Sequence, residues 1–415
     1  MFWISAAVLT SLLLGGSAAT PLEKRAAYYK TAFRNGNYPL DVVDQLEADT
    51  MPKVSEWVAR KGNSNGCTLE NAAVRKEWSD LSVPEREEYI AAVLCLMKRP
   101  SQAPKDEFPG ALNRFDDFVA FHMTQAGPLH GPTNLFAAHR YFIWAYENAL
   151  REECGYKGYQ PYMNYDRYAE DPINSPMFNG NMSSMGGQGE PNNYRGVLMG
   201  FRAPYNLIQP GGGGGCVKDG PFKDMVVSLG PRATVVNGIP RNPRADGLGS
   251  NPRCLRRDVN RNSALGARAN YSYSLITEYP HVNNFYDRYL GQPFLQNDAH
   301  PWGLHNAGHF MIGGDPGGDF YASPGDPAFY FHHGALDRLW WIWQMQDPEK
   351  RVQGSNAIPD LNRMGAAPGP APRPEPGQAI EDMVVDLKWL APKSTLKQLN
   401  DLFGGNDGKI CYYYV

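Results

Sequence analysis

The chain holds nine histidines in 415 residues, and six of them fall into two triplets. His122, His130 and His139 lie in FVAFHMTQAGPLHGPTNLFAAHRYFIWAYE. His305, His309 and His333 lie in residues 305–341, HNAGHFMIGGDPGGDFYASPGDPAFYFHHGALDRLWW. His305 and His309 are four apart, as are Phe329, His333 and Asp337. On a helix that spacing puts each set on one face, one turn apart. Two such helices could bring three imidazoles to a common point, which makes a candidate metal half-site. No cysteine occurs in either stretch, and no carboxylate stands at a matching ligand position. Neutral imidazole suits copper, zinc, iron or nickel, and the affinity order favours copper. The helical HExxH pattern of zinc proteases is absent, because residues 306–308 are Asn-Ala-Gly.

HxxxH followed by DPxFxxHHxxxDRxW resembles the CuB site of the type 3 copper proteins: tyrosinases, catechol oxidases and haemocyanins. H-x8-H-R with a further histidine upstream resembles their CuA site. Residues 109–345 carry the similarity, with a tail to 415. The resemblance implies copper at CuA on His122, His130 and His139, and at CuB on His305, His309 and His333. In the family the second histidine of the HH pair is the ligand. Helical geometry agrees, since His333 and not His332 shares a face with Phe329 and Asp337. Two departures stand out. Ala138 occupies a place where the family usually has an aromatic residue. Pro128 stands where some fungal members have a cysteine bonded to the second CuA histidine, so here His130 must be held by packing or by hydrogen bonds.

The implied cofactors are two copper ions, with O2 as co-substrate. Two coppers together can pass two electrons to O2, where one copper could pass only one. The implied substrate is a small phenol. Phe320, in GDFYASPGDP, sits where catechol oxidases of the family carry a bulky phenylalanine over CuA, which would crowd a monophenol. Asn306 follows the first CuB histidine. In tyrosinases an asparagine there, with a nearby glutamate, is thought to hold a water that deprotonates phenols. No glutamate occurs from 290 to 304; Asp298 is the only acid, with Gln296 nearby. The resemblance therefore implies catechol oxidation to o-quinones. A tyrosinase that also hydroxylates monophenols is the alternative, and a haemocyanin-like O2 carrier a more distant one.

The elements that must position these residues can be read around them. RFDDFVAFHMT predicts a helix with Phe115, Phe118, Val119 and His122 near one face. His130 lies among Gly127, Pro128, Gly131 and Pro132, which predicts a loop. His139 starts a long helix, in which Arg140 is expected to pair with a carboxylate near the site. Asp326 and Pro327 read as N-cap and N1 of the helix carrying His333. Asp337 is expected to orient a group behind a ligand. The fold class is mainly α: a four-helix bundle holding a dinuclear copper site, with long loops and minor β structure. Further from the site, Asp80-Leu-Ser-Val-Pro reads as a turn and N-cap, followed by an amphipathic helix ending before Pro100. Residues 154–275, rich in Gly, Pro and Asn, read as a long irregular connection. The run Gly211–Gly215 reads there as a flexible surface loop, and it lacks the lysine of a phosphate-binding loop. His281 and His300 read as ordinary polar residues.

Composition sets the outer limits. The chain is 42% hydrophobic, enough for a sizeable core, and its net charge of −3 gives no sign of a nucleic-acid or anionic-membrane partner. Residues 1–19 read as a secretory signal and 20–25 as a propeptide ending at Lys24-Arg25. Residues 26–415 then form one catalytic domain, with a CuA half at 109–153, a CuB half at 300–345 and a tail at 346–415. The tail contains a Pro-rich linker at 365–377 and ends in ICYYYV, whose Tyr412 and Tyr414 resemble the Tyr-x-Tyr close of the family core. Six cysteines and the sequons at Asn181 and Asn270 fit a secreted, extracellular glycoprotein with up to three disulfides, their pairing open.

Overall fold

A computed structural model describes residues 36–415 except 63, 200–205, 235, 292–301 and 366–370. The readings at 1–25, His300, Asp298 and Gln296, and part of the Pro-rich linker, lie outside the described residues. The chain is mainly helical. Its longer helices are α1 (Val42–Lys61), α2 (Val83–Leu96), α3 (Arg114–Leu129), α4 (Leu135–Cys154), α5 (Ala269–Glu278), α6 (Val282–Tyr289), α7 (Gly303–Ile312) and α8 (Ala328–Gln344).

Four of these carry the histidine triplets: α3, α4, α7 and α8. Asn113 caps α3 by accepting from the Asp116 N–H at 3.0 Å, and Asp116 and Asp117 suit the positive end of the helix. α4 ends on Gly155 in the left-handed region, φ 74°, a common C-terminal stop. α8 is buried along its whole length, Trp340, Trp341 and Trp343 included. A helix buried on every face lies at the centre of a core, and α8 packs there against α4, α5 and α7, its charged side chains paired inside.

The start of α8 differs slightly from expectation. Its first helical residue is Ala328, and Pro327 precedes it in a helical conformation without a side-chain cap. Asp326 still caps the end, because its Oδ1 accepts from the Ala328 N–H at 2.9 Å. The same carboxylate receives a two-pronged Arg257 guanidinium, both bonds at 2.7 Å.

Sheet is minor. The strand Ala73–Arg75 runs parallel to Ile410–Tyr414, which pairs antiparallel with Phe403–Gly405. Further short strands lie at Val197–Met199, Asn206–Ile208 and Val226–Val227. The glycine run corrects the reading of a flexible surface loop. Gly214–Val217 pairs with Gly189–Pro191, and Gly213, Gly214 and Gly215 are buried. A Cβ on Gly213 would lie 2.7 Å from the Arg257 carbonyl oxygen, so absence of a side chain permits a close approach of backbones. Asp258 fixes the run by accepting from the Gly211 and Gly213 N–H groups at 2.8 and 2.7 Å.

The six cysteines pair as Cys67–Cys411, Cys95–Cys154 and Cys216–Cys254. The first joins the segment that follows α1 to the last strand. Among the described residues no helix is long and apolar enough to cross a membrane.

Candidate metal centre

The structure brings the six predicted histidines together as two groups. The ligand-type nitrogens of His122, His130 and His139 lie within 4.8 Å of one another, and so do those of His305, His309 and His333. The groups touch: the His130 and His305 ring centroids are 5.9 Å apart, and His139 and His333 are 4.4 Å apart. Five of the six are buried, while His309 is half-buried, as is Phe320.

Each ring of the first group is oriented by a backbone carbonyl. His122 Nδ1 lies 2.7 Å from the Tyr321 oxygen, His130 Nδ1 2.7 Å from Ala126 and His139 Nδ1 2.8 Å from Leu135. A carbonyl oxygen only accepts, so in each neutral ring Nδ1 carries the proton and Nε2 presents its lone pair. The Nε2 atoms of His122, His139 and His305 are buried without a hydrogen-bond partner. Buried polar atoms normally find one, so orphaned acceptors set within groups whose ligand-type nitrogens lie within 4.8 Å of one another mark where a Lewis acid fits.

The rings are held neutral. Burial pushes His122 down to about 4 and His139 to about 3. His130, His305, His309 and His333 are also well below the usual range, through burial first and mutual repulsion second. Neutral imidazole is the metal-binding form.

His130 corrects the loop reading. α3 continues through Gly127 and Pro128 to Leu129, and His130 is its C-terminal cap residue. Proline lacks an N–H and disfavours a helix interior; here it falls in the last turn. The continued turn is what places the Ala126 carbonyl under His130.

Arg140 pairs as expected, with Nε 2.6 Å from Asp337 Oδ1, and so ties α4 to α8. Asp337 does not stand behind a histidine. Its other oxygen accepts from the Tyr412 and Tyr414 hydroxyls, both at 2.6 Å, so it anchors the last strand to α8.

Phe320 packs on His130, ring centroids 4.6 Å apart and tilted by 49°. Asn306 Nδ2 donates to the Leu290 and Trp302 carbonyls at 3.1 and 2.8 Å, and Oδ1 faces His305 Nδ1 at 3.4 Å.

Sequence reasoning missed the partners of His332. This seventh imidazole is buried 4.4 Å from the His309 ring and hydrogen-bonded through Nδ1 to the Tyr165 hydroxyl at 2.6 Å. It lies on Gly308, where a Cβ would stand 2.1 Å from Nδ1. A glycine inside a helical pattern, between His305 and His309, was the available signal.

Comparisons with known proteins converge. A family model described as the common central domain of tyrosinase matches residues 112–346. The chain is 41% identical over 331 residues to tyrosinase-like protein orsC of Emericella nidulans, covering 76% of this chain and 85% of that one. It is 34% identical over 375 residues to N-acetyl-6-hydroxytryptophan oxidase ivoB of the same organism, covering 84% and 93%. Among solved structures, a polyphenol oxidase variant from Thermothelomyces thermophila superposes with a TM-score of 0.78 at 35% identity, covering 89% and 97%.

Proposed function

The chain belongs to the tyrosinase family and is an oxidoreductase of the polyphenol oxidase kind; from that footing we propose that it oxidises o-diphenols to o-quinones with O2. The observation that carries this is the convergence of buried, unpartnered Nε2 lone pairs from two histidine groups in contact. His122, His130 and His139 would hold one copper, and His305, His309 and His333 the other. When bound, the copper pair supplies the two-electron exchange between phenol and O2. Overall, two catechols and one O2 give two o-quinones and two waters.

The chain's own residues supply placement. Carbonyls of Tyr321, Ala126 and Leu135 fix three ring orientations, which limits the reorganisation left to the reaction. Asn306 orients His305 through its side-chain oxygen. The half-buried edge at His309 and Phe320 is where a phenol would enter. Phe320, lying on His130, crowds that side and favours a diphenol over a monophenol. Asn306 favours the second reading, a tyrosinase, if its side-chain oxygen also holds a water. The relative whose name specifies a hydroxyindole supports substrates larger than catechol itself.

Oxygen uptake by the copper-loaded protein tests the reading, with tyramine set beside catechol. Uptake with catechol alone supports the diphenol oxidase. Uptake with both, after a lag on tyramine, replaces it with the tyrosinase. Reversible O2 binding without turnover of either phenol replaces both with a carrier.

We also infer export. Three disulfides fit an oxidising compartment, and Asn181 and Asn270 are both exposed, as glycan acceptors must be. Mass spectrometry of the secreted protein, before and after glycan removal, tests the cleavage near Ala26 and both sequons.

A further inference from the structure

The corner of the site at His130 is bordered by two segments, and each carries an exposed arginine. The first runs through Phe320 and Tyr321. Phe320 packs on His130, and its ring centroid is 5.1 Å from that of Tyr321. Arg232 lies on the other ring of this series, its guanidinium carbon 3.9 Å from the Tyr321 centroid. Its loop is buckled to the same segment by Asp319, which accepts from the Arg232, Ala233 and Tyr321 N–H groups at 2.6, 2.7 and 2.9 Å. The Asp319 carboxylate is therefore spent on backbone. The second segment packs on Gly131, the residue after His130. Pro372 Cδ lies 3.0 Å and Ala371 Cβ 3.2 Å from where a Gly131 Cβ would stand. Arg373 follows and is exposed.

Among the described residues, neither guanidinium has a carboxylate partner. Arg232 makes one long hydrogen bond, 3.5 Å to the Met123 carbonyl, and Met123 follows His122 on α3. Exposed arginines are common, but these two stand on the two segments that border one corner of the site. Stacking on Tyr321 also lowers the freedom that Arg232 would lose on binding a ligand. A guanidinium with its donors unspent recognises carboxylate by charge and by paired hydrogen bonds.

We propose that this rim selects the substrate: Arg232 and Arg373 receive the carboxylate of phenols that carry an acidic side chain on the ring. The inference rests on the o-diphenol oxidase reading and names the substrate class within it. Charge at a rim gives selectivity and steering more than raw affinity.

The test compares three o-diphenols that differ in charge: dihydrocaffeate, catechol and dopamine. Oxygen uptake by the copper-loaded protein should give the lowest KM with dihydrocaffeate and the highest with dopamine. Added salt should narrow the gap, since exposed charges are screened within about 10 Å at 0.1 M. Arg232→Gln with Arg373→Gln should raise the dihydrocaffeate KM about tenfold and leave the catechol KM within about twofold. Titration calorimetry with phenylpropionate, which has no hydroxyl to oxidise, reads the same contact without turnover; its binding should weaken by a similar factor in the double variant. Equal KM values for dihydrocaffeate and dopamine, or a double variant unchanged towards both carboxylates, would overturn the proposal. Failure to oxidise any of the three would instead overturn the diphenol oxidase reading, and phenylpropionate binding would still decide the role of the rim.

Discussion

His139 on α4 and His333 on α8 lie face to face, with ring centroids 4.4 Å apart and planes 9° from parallel. One belongs to each histidine group, so the groups meet through this pair. Two imidazolium ions could not share that geometry in a dry interior. Burial holds both rings neutral, with repulsion from the other histidines adding to it.

A pH dependence follows for the copper-free protein. The folded-state values of His122 and His139 lie at about 4 and about 3, below the usual 6.5. On acidification the unfolded chain takes up protons first, while the folded rings stay neutral. Stability is therefore fully present above about pH 6.5 and falls as pH drops towards the folded values. The thermal midpoint of the copper-free protein should decline between about pH 7 and pH 5, where the burial effect is uncovered. A midpoint that does not move over that range would show the rings are not held neutral.

Gly308 lets α7 and α8 approach. Alanine is normally better than glycine inside a helix by about 1 kcal/mol. Here a Cβ would meet His332 Nδ1 at 2.1 Å and the Tyr165 hydroxyl at 3.1 Å. Gly308→Ala should thus lower the melting temperature and also the copper content, because His332 would be driven against His309. Tyr165→Phe leaves the space but removes the bond to His332; it should cost about 1–3 kcal/mol through the unsatisfied imidazole. Denaturant unfolding and metal analysis of both variants check this, and a stabilised Gly308→Ala would refute it.

The parts legible in the sequence were those written in local period. His305 and His309, and Phe329, His333 and Asp337, needed only helical spacing to be placed on one face. Arg140 found its carboxylate, although 197 residues separate it from Asp337. What local pattern did not carry was contact made by absence or by folding at a distance. Gly127 and Pro128 signal a break, yet α3 continues past them, because a proline in the final turn leaves most of the helix intact. Gly211–Gly215 has the composition of a loop, but its lack of side chains serves backbone packing against Arg257. Cys67 and Cys411 are 344 residues apart, and no spacing rule pairs them. Arg232 meets Tyr321 only because Asp319 buckles two distant loops together.

Asp337 should be a sensitive carboxylate away from the histidine groups. It is buried, pairs with Arg140, lies 3.7 Å from Arg75, and accepts from Tyr412 and Tyr414. Asp337→Asn keeps the shape but leaves buried guanidinium charge without its counter-charge, which costs about 3–5 kcal/mol. Tyr412→Phe removes one hydrogen bond while the ion pair stays, and should cost about 1–2 kcal/mol. Urea unfolding of the two variants gives the comparison. Equal losses would mean that the charge pair adds nothing beyond the hydroxyl contacts.

Gly213 tests the packing of the glycine run. A Cβ there would fall 2.7 Å from the Arg257 carbonyl oxygen, which cannot withdraw without moving the strand Gly214–Val217. Gly213→Ala should therefore destabilise by about 1–3 kcal/mol, as overpacking does. Gly212 is the control: nothing lies within 4 Å of its Cβ position, but its φ of +98° disfavours any side chain. Gly213 has no such φ, so strain cannot account for a loss there, and a Gly213→Ala variant as stable as the parent would refute the packing.

Phe320 tests the proposed exclusion of monophenols. Its ring covers His130 at 4.6 Å and is half-buried, so it would border the proposed entrance without being needed to fill the core. A monophenol must be brought close to the metal on that side to be hydroxylated, whereas a diphenol already carries both oxygens that react. Shortening the side chain in Phe320→Ala should open space beside His130 and raise the tyramine-to-catechol rate ratio, with catechol turnover changed less. His130 itself remains fixed by the Ala126 carbonyl, so the site should keep its copper. Oxygen uptake with both phenols, read beside copper content, separates gating from damage. An unchanged ratio at full copper occupancy would remove Phe320 from substrate selection and leave it as packing for the His130 ring.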